Sequence, residues 1–152
     1  MLRVLIQTEP LAIAAEQERL WRGHSGIGAV VTFIGLVRDF SADAVVTQLT
    51  LEHYPGMAQR VLDTLAATAT ARWNCQQLTL IHRVGTFAVN EPIVLIGIAS
   101  AHRGDAFRAC EFLIDELKAQ APLWKQEHTT TGAHWVTPAI HHAAAYPVDA
   151  QL

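Results

Sequence analysis

Apolar and polar positions change their period several times along this chain. The short apolar run Val4–Gln7 predicts a strand, and Pro10–Trp21 predicts a helix with Pro10 near its first turn. Gly23-His24-Ser25-Gly26-Ile27-Gly28 reads as a turn region, without the long preceding strand of a dinucleotide-binding loop. Ala29–Val37 predicts a strongly apolar strand, followed by a polar loop over Arg38–Asp43. Val45–Glu52 alternates: Val45, Thr47, Leu49 and Leu51 face one way, and Val46, Gln48, Thr50 and Glu52 face the other. That period of two predicts a half-buried strand. Tyr54-Pro55-Gly56 breaks it.

Met57–Trp73 predicts a long helix, with Val61, Leu62, Leu65 and Ala69 at helical spacing. Leu78–Val84 and the nearly all-apolar Pro92–Ser100 predict two strands, joined by a connection containing Gly85 and Asn90-Glu91-Pro92. Asp105–Lys118 predicts a helix with Phe107, Cys110, Leu113, Ile114 and Leu117 on one stripe, and Asp105 suits its cap. Ala121-Pro122 ends it, because proline lacks the N–H and disfavours a helical residue before it. Trp135-Val136 predicts a last short strand. Residues 139–152 show no period and read as a loosely ordered tail behind a single domain of residues 1–138. Helices and strands are interleaved, and the turn-separated strands suit antiparallel pairing, which places the chain in the α+β class.

Composition narrows the function classes. At 152 residues the chain is long enough for one sizeable core, and its 51% hydrophobic content excludes a disordered protein. A net charge of −3 argues against a general nucleic-acid binder, which needs many phosphate contacts. Cys75 and Cys110 form no CxxC pair and suit a reducing compartment. The start of the chain turns acidic too early for a signal peptide, and the apolar run Ile93–Ala99 is too short to span a bilayer. A cytoplasmic protein, away from membranes, is the expectation.

The chemistry concentrates in a few side chains. Lys118 and Lys125 are the only lysines, while the other basic side chains are arginines. An amine, unlike a guanidinium, sheds its proton when desolvated, and then serves as an acid, a base or a nucleophile. Pro122 lies between the two lysines and fixes a turn that would return both to one pocket. His102 and Arg103 sit between an apolar strand and a helix start, where free backbone N–H groups favour an anion. Arg38 ends another apolar strand, and these three residues are expected to form one shared anion pocket. Glu127 is either a solvated surface carboxylate, the default for such a residue, or a group that orients a lysine or binds a cation, and Trp124 either walls a pocket or simply packs. No HExxH, CxxC or DxD pattern points to a metal, and no cofactor is expected.

Five runs carry a family resemblance, in order along the chain. They are Ala29–Arg38, Leu49-Thr50-Leu51-Glu52-His53-Tyr54-Pro55-Gly56-Met57, Ile81-His82-Arg83-Val84-Gly85, Ser100-Ala101-His102-Arg103 and Leu117–Glu127. Together they resemble the large, catalytic subunit family of molybdopterin synthase, from about residue 27 to residue 136. The resemblance implies an α/β-hammerhead-type domain with an additional antiparallel β subdomain. It implies a sulfurtransferase that converts cyclic pyranopterin monophosphate to molybdopterin by adding the two dithiolene sulfurs. The sulfur would arrive as the C-terminal thiocarboxylate of a small ubiquitin-like, MoaD-like carrier subunit ending in Gly-Gly. Two copies of the large subunit would form the homodimer core of a heterotetramer. Carried over by motif, Lys118 and Lys125 would be the catalytic amines. Arg38, His102 and Arg103 would bind the pterin phosphate or the carrier tail, with Gln126, Glu127 and the backbone around Leu36 and Val37 completing the pocket. The chain departs from the family's pattern at Leu36, where a basic residue is frequent, and at His134, where an arginine is frequent.

A competing reading is a non-catalytic dimeric anion-binding or adaptor domain. It would keep Arg38, His102 and Arg103 but would not need amines at positions 118 and 125. Replacing both lysines by arginine separates the two readings.

Overall fold

The computed structural model describes residues 1–41 and 44–136. The tail expected from residue 139 lies outside the described residues. In chain order the elements are β1 (Leu2–Gln7), α1 (Ile13–Trp21), β2 (Ala29–Leu36), β3 (Phe40–Ser41), β4 (Ala44–His53), α2 (Pro55–Trp73), β5 (Gln77–Arg83), β6 (Gly85–Ala88), β7 (Pro92–Ser100), α3 (Arg103–Gln120), β8 (Leu123–Thr129) and β9 (Gly132–Val136). The fold is α+β, as the interleaved pattern implies.

A first sheet has the order β1-β5-β7-β2, parallel between β1 and β5 and antiparallel elsewhere. Along β7, Val94, Ile96 and Ile98 join the main core beneath α2 and α3, with Leu78 and Leu80 of β5 beside them. The opposite face receives α1. Gly97 permits that approach, since a Cβ there would stand 2.6 Å from Leu20 Cδ1. Glu16 of α1 is buried but satisfied, because Arg3 Nε and Nη2 donate to its two carboxylate oxygens at 2.8 and 2.9 Å.

A second sheet has the order β3-β4-β8-β9, with β6 also paired to β4. Val37, Leu49, Leu51, Phe87 and Ile93 form its own small core. Arg83 joins the two sheets. Its guanidinium donates to the carbonyls of Thr8 and Pro92 and to the Glu91 carboxylate, and lies 4.5 Å above the Phe87 ring.

Several boundaries differ from the sequence expectation. Helix α1 begins at Ile13, leaving Pro10 outside it, and the Gln7 amide donates to the Glu9 and Pro10 carbonyls across the intervening turn. Pro55 breaks β4 and also starts α2 at a position where its missing N–H costs nothing. Helix α3 begins at Arg103 with His102 as its cap residue, so Asp105 lies in the first turn instead of capping it. The connection after β5 contains the strand β6, and the lysine-bearing stretch after Pro122 is the strand β8.

Candidate active site

Lys118 occupies the last turn of α3. The chain then reverses sharply, with the Ala121 N–H donating to the Leu117 carbonyl and the Leu123 N–H to the Ala121 carbonyl. Lys125 follows as the third residue of β8, directly opposite Leu51 of β4 and Val136 of β9. Residues opposite one another on paired strands share a face. Lys125 therefore lies on the face of the small core, as does Glu127, which stands opposite Leu49.

Lys125 is an exposed residue, while protein crowds around its ammonium. That burial pushes its pKa below the ordinary lysine value, with the positive charges of Lys118 and Arg38 adding to the effect and Glu127 opposing it. Lys118, Arg38 and Glu127 are thus each in electrostatic reach of Lys125, although three separate segments supply the four residues. The reversal at Pro122 leaves Lys118 near enough for its charge to act on Lys125.

Arg38 is exposed and stands over the Phe40 ring at 5.0 Å. Leu36 is half exposed at the end of β2, while Val37 is buried. The Val37 N–H donates to the Glu91 carbonyl and its carbonyl accepts from the Asn90 N–H. Both backbone groups of Val37 are therefore engaged, and its part in the site is to fix where Arg38 leaves the sheet. Gln126 alternates to the far face of β8, opposite Thr50 and Trp135. Trp124 alternates there too, half exposed. Neither shares the face of Lys125, because neighbouring strand residues point to opposite sides.

His102 and Arg103 stand elsewhere. In the β2–β7 ladder Ala29 pairs with Ser100 and Leu36 with Pro92, so Arg38 emerges at the Pro92 end and His102 at the Ser100 end. Arg103 and Lys118 are likewise near opposite ends of α3, separated by roughly 22 Å along the helix axis. The single shared pocket expected for Arg38, His102 and Arg103 is not formed within one chain. Strand length is the reason: β2 and β7 run the full depth of the sheet between them. His102 and Arg103 instead line a recess of about 350 Å³ with Gly28, Ala101 and Gly104. At the start of an 18-residue helix, with an arginine and a histidine, that recess suits an anion.

Two further histidines belong to the lysine end. His53 closes β4 immediately before α2, and His82 lies on β5 with its Nδ1 2.8 Å from the Arg83 carbonyl oxygen. Lys125 and His53 both act electrostatically on His82. A sequence signal for His82 exists, since Leu78, Leu80 and His82 share one strand face and the histidine ends an apolar stripe. Among the described residues no cluster of three His, Cys, Asp or Glu is placed to hold a metal, and no helix is long and apolar enough to cross a membrane.

Both the sequence and the fold have known relatives. Residues 6–120 match the family model described as MoaE protein. The molybdopterin synthase catalytic subunit of Cereibacter sphaeroides is 46% identical over 135 residues, covering 89% of this chain and 91% of the relative. Among solved structures, the molybdopterin biosynthesis MoaE protein from Burkholderia ambifaria superposes with a TM-score of 0.80 at 40% identity, covering 94% of this chain and 95% of the other. Molybdopterin synthase from Staphylococcus aureus gives a TM-score of 0.80 at 31% identity, over 87% and 95%.

Proposed function

The chain belongs to the MoaE family, and on that premise we propose that it is the sulfur-transferring catalytic subunit of a molybdopterin synthase. The observation that carries this reading is the convergence of Lys118, Lys125 and Arg38, three cations from separate segments, with one ammonium held below its ordinary pKa. Clustering like charges is costly without an anion to receive them. The donor and the substrate are both anions: a thiocarboxylate at the end of a carrier, and cyclic pyranopterin monophosphate. Arg38 fits an anionic oxygen through its guanidinium fork. Once the thiocarboxylate sulfur has bonded to a substrate carbon, water attacks the acyl carbon. The negative charge built on oxygen is stabilised by a nearby ammonium, and cleavage of the acyl C–S bond leaves the sulfur on the substrate and a carboxylate on the carrier. Opening the cyclic phosphate requires a proton on the leaving oxygen, and a lysine with a lowered pKa gives one up more readily. Glu127, on the Lys125 face, orients that amine.

The carrier in this reading is a small ubiquitin-like subunit whose Gly-Gly end enters as an extended strand, where glycine's small size gives specificity. Two copies of this chain form a homodimer core, with one carrier on each, in the cytoplasm. Because His102 and Arg103 lie at the far end of their own chain, they serve a lysine pair only from the partner copy. The names of the relatives, the molybdopterin synthase of Staphylococcus aureus among them, support the reaction. The test is reconstitution. The purified chain, thiocarboxylated carrier and cyclic pyranopterin monophosphate should yield molybdopterin, and a carrier extended by one residue beyond its last glycine should not. Absence of product with the intact thiocarboxylate would overturn the reading.

A further inference from the structure

The chain passes between its two sheets at two neighbouring places. Val37 leads from β2 of the first sheet towards β3 of the second, and the turn over residues 88–91 leads from β6 of the second back to β7 of the first. The two crossings clamp each other. The Val37 N–H donates to the Glu91 carbonyl at 3.1 Å, and the Asn90 N–H donates to the Val37 carbonyl at 2.8 Å. A bulge prepares the crossing: Gly35 pairs with Val94 but Leu36 with Pro92, so Ile93 is the extra residue. Val37 and Ile93 both enter the small core with Phe87. A bulge of this kind bends its strand and re-aims the side chains beside it. The residue after Val37 is Arg38, whose guanidinium carbon stands 5.0 Å from the centre of the Phe40 ring.

The turn is itself locked. The Glu91 N–H donates to the Ala88 carbonyl, and Asn90 takes the left-handed conformation at the third position, φ 70°, which asparagine tolerates. The Glu91 carboxylate adds two ties. Its Oε1 accepts from the Ala88 N–H at 3.1 Å, and its Oε2 accepts from Arg83 Nη1 at 3.2 Å. Arg83 is buried and anchored on the Thr8 and Pro92 carbonyls, so it offers the carboxylate a fixed point. The Ala88 N–H, and then the Arg83 guanidinium, hold the Glu91 pKa below the ordinary carboxylate value. The Glu91 side chain is 42% exposed, so its pairing adds little to overall stability and its ties act chiefly on the shape of the turn. We propose that Glu91 is a positioning residue: its turn holds Val37 by both backbone groups and so fixes where the Arg38 guanidinium stands to receive an anion.

This inference rests on Arg38 as the anion-binding residue proposed above, and its test separates the two. The Phe40 ring current displaces the Arg38 δ-proton resonance, which is identified by its loss in Arg38→Ala. In Glu91→Ala that resonance should move towards the position of a free arginine. In Glu91→Gln, whose side-chain oxygen still accepts, it should largely stay. The second readout is single-turnover sulfur transfer with thiocarboxylated carrier. The cyclic pyranopterin monophosphate concentration that gives half the maximal rate should rise about tenfold in Glu91→Ala, with the saturating rate within about twofold, and should rise no more than about threefold in Glu91→Gln. Glu91→Ala added to Arg38→Ala should raise it no further, because a residue that acts through Arg38 then has nothing left to position. An unmoved resonance in Glu91→Ala overturns the proposal. So does a further rise on top of Arg38→Ala, or a half-saturation that rises in Arg38→Ala but not in Glu91→Ala. A resonance that moves while half-saturation stays normal in both single variants upholds the positioning and instead removes Arg38 from anion binding.

Discussion

Arg83 ties one strand end to everything around it. Its guanidinium is almost fully covered, and it satisfies the Thr8 and Pro92 carbonyls while pairing with Glu91. Glu91 in turn holds Val37 by its backbone, and the next residue is Arg38. Arg83→Met should therefore cost about 2 kcal/mol in urea unfolding, chiefly from carbonyls left without a donor, with discount for the solvated Glu91. An unchanged midpoint would contradict that account. His82 makes a second prediction. Its pKa falls from 6.5 in the unfolded chain to about 4 in the folded one. Between those values the unfolded chain binds a proton that the native one refuses, so stability drops as pH falls from 6.5 towards 4, by roughly 3 kcal/mol at most. His82→Gln should flatten that limb of a stability–pH curve, and an equally steep limb would contradict the burial argument. At this scale the sequence was informative where a residue type was rare. Two lysines in 152 residues drew the eye to the site. For His82 the sequence offered only its place at the end of an apolar stripe, because a histidine's tautomer and surroundings are properties of the fold.

The strand that carries Lys125 was hidden by its own function. Strands are legible when one face is apolar. In β8 the core-side face carries Lys125 and Glu127, and the other carries Trp124, Gln126 and His128, so neither face reads as buried. Its partner β4 was legible because Leu49 and Leu51 alternate with Thr50 and Glu52. The strand β6 was missed for a related reason: only Phe87 among its four residues is buried. Among the long periodic elements β7 was placed at its observed bounds, and α2 and α3 were placed correctly apart from their ends. At the other end of the molecule, the start of α3 depends on a tight crossing. A Cβ at Gly28 would stand 2.4 Å from the Ala101 carbonyl oxygen, a backbone atom that cannot turn aside. Gly28→Ala should lower the melting temperature by several degrees, on the order of a 1–2 kcal/mol loss. It should also weaken anion binding beside His102 and Arg103 in a phosphate titration. A variant with unchanged melting and phosphate affinity would show that this loop yields freely.

Across the whole molecule, the resemblance grouped Arg38, His102, Arg103 and the lysines as one functional set, and the fold divides that set between the two ends of the first sheet. No spacing along the chain announces this, because strand direction and register decide which ends meet. If both groups serve one site, they meet across a homodimer. Arg103→Ala and Lys125→Ala dimers, each inactive alone, should then regain about a quarter of normal activity when subunits are exchanged, since half the dimers are mixed and each mixed dimer carries one intact site. No recovery would keep His102 and Arg103 out of the reaction. The central claim is that the amine of Lys125 performs the chemistry, and single-turnover molybdopterin formation with thiocarboxylated carrier tests it most directly. Lys125→Ala should lower the rate at least a hundredfold, roughly the scale of a lost acid–base group. Lys125→Arg should fail as badly, because a guanidinium stays charged at any working pH. Near-normal formation in either folded variant would contradict the account.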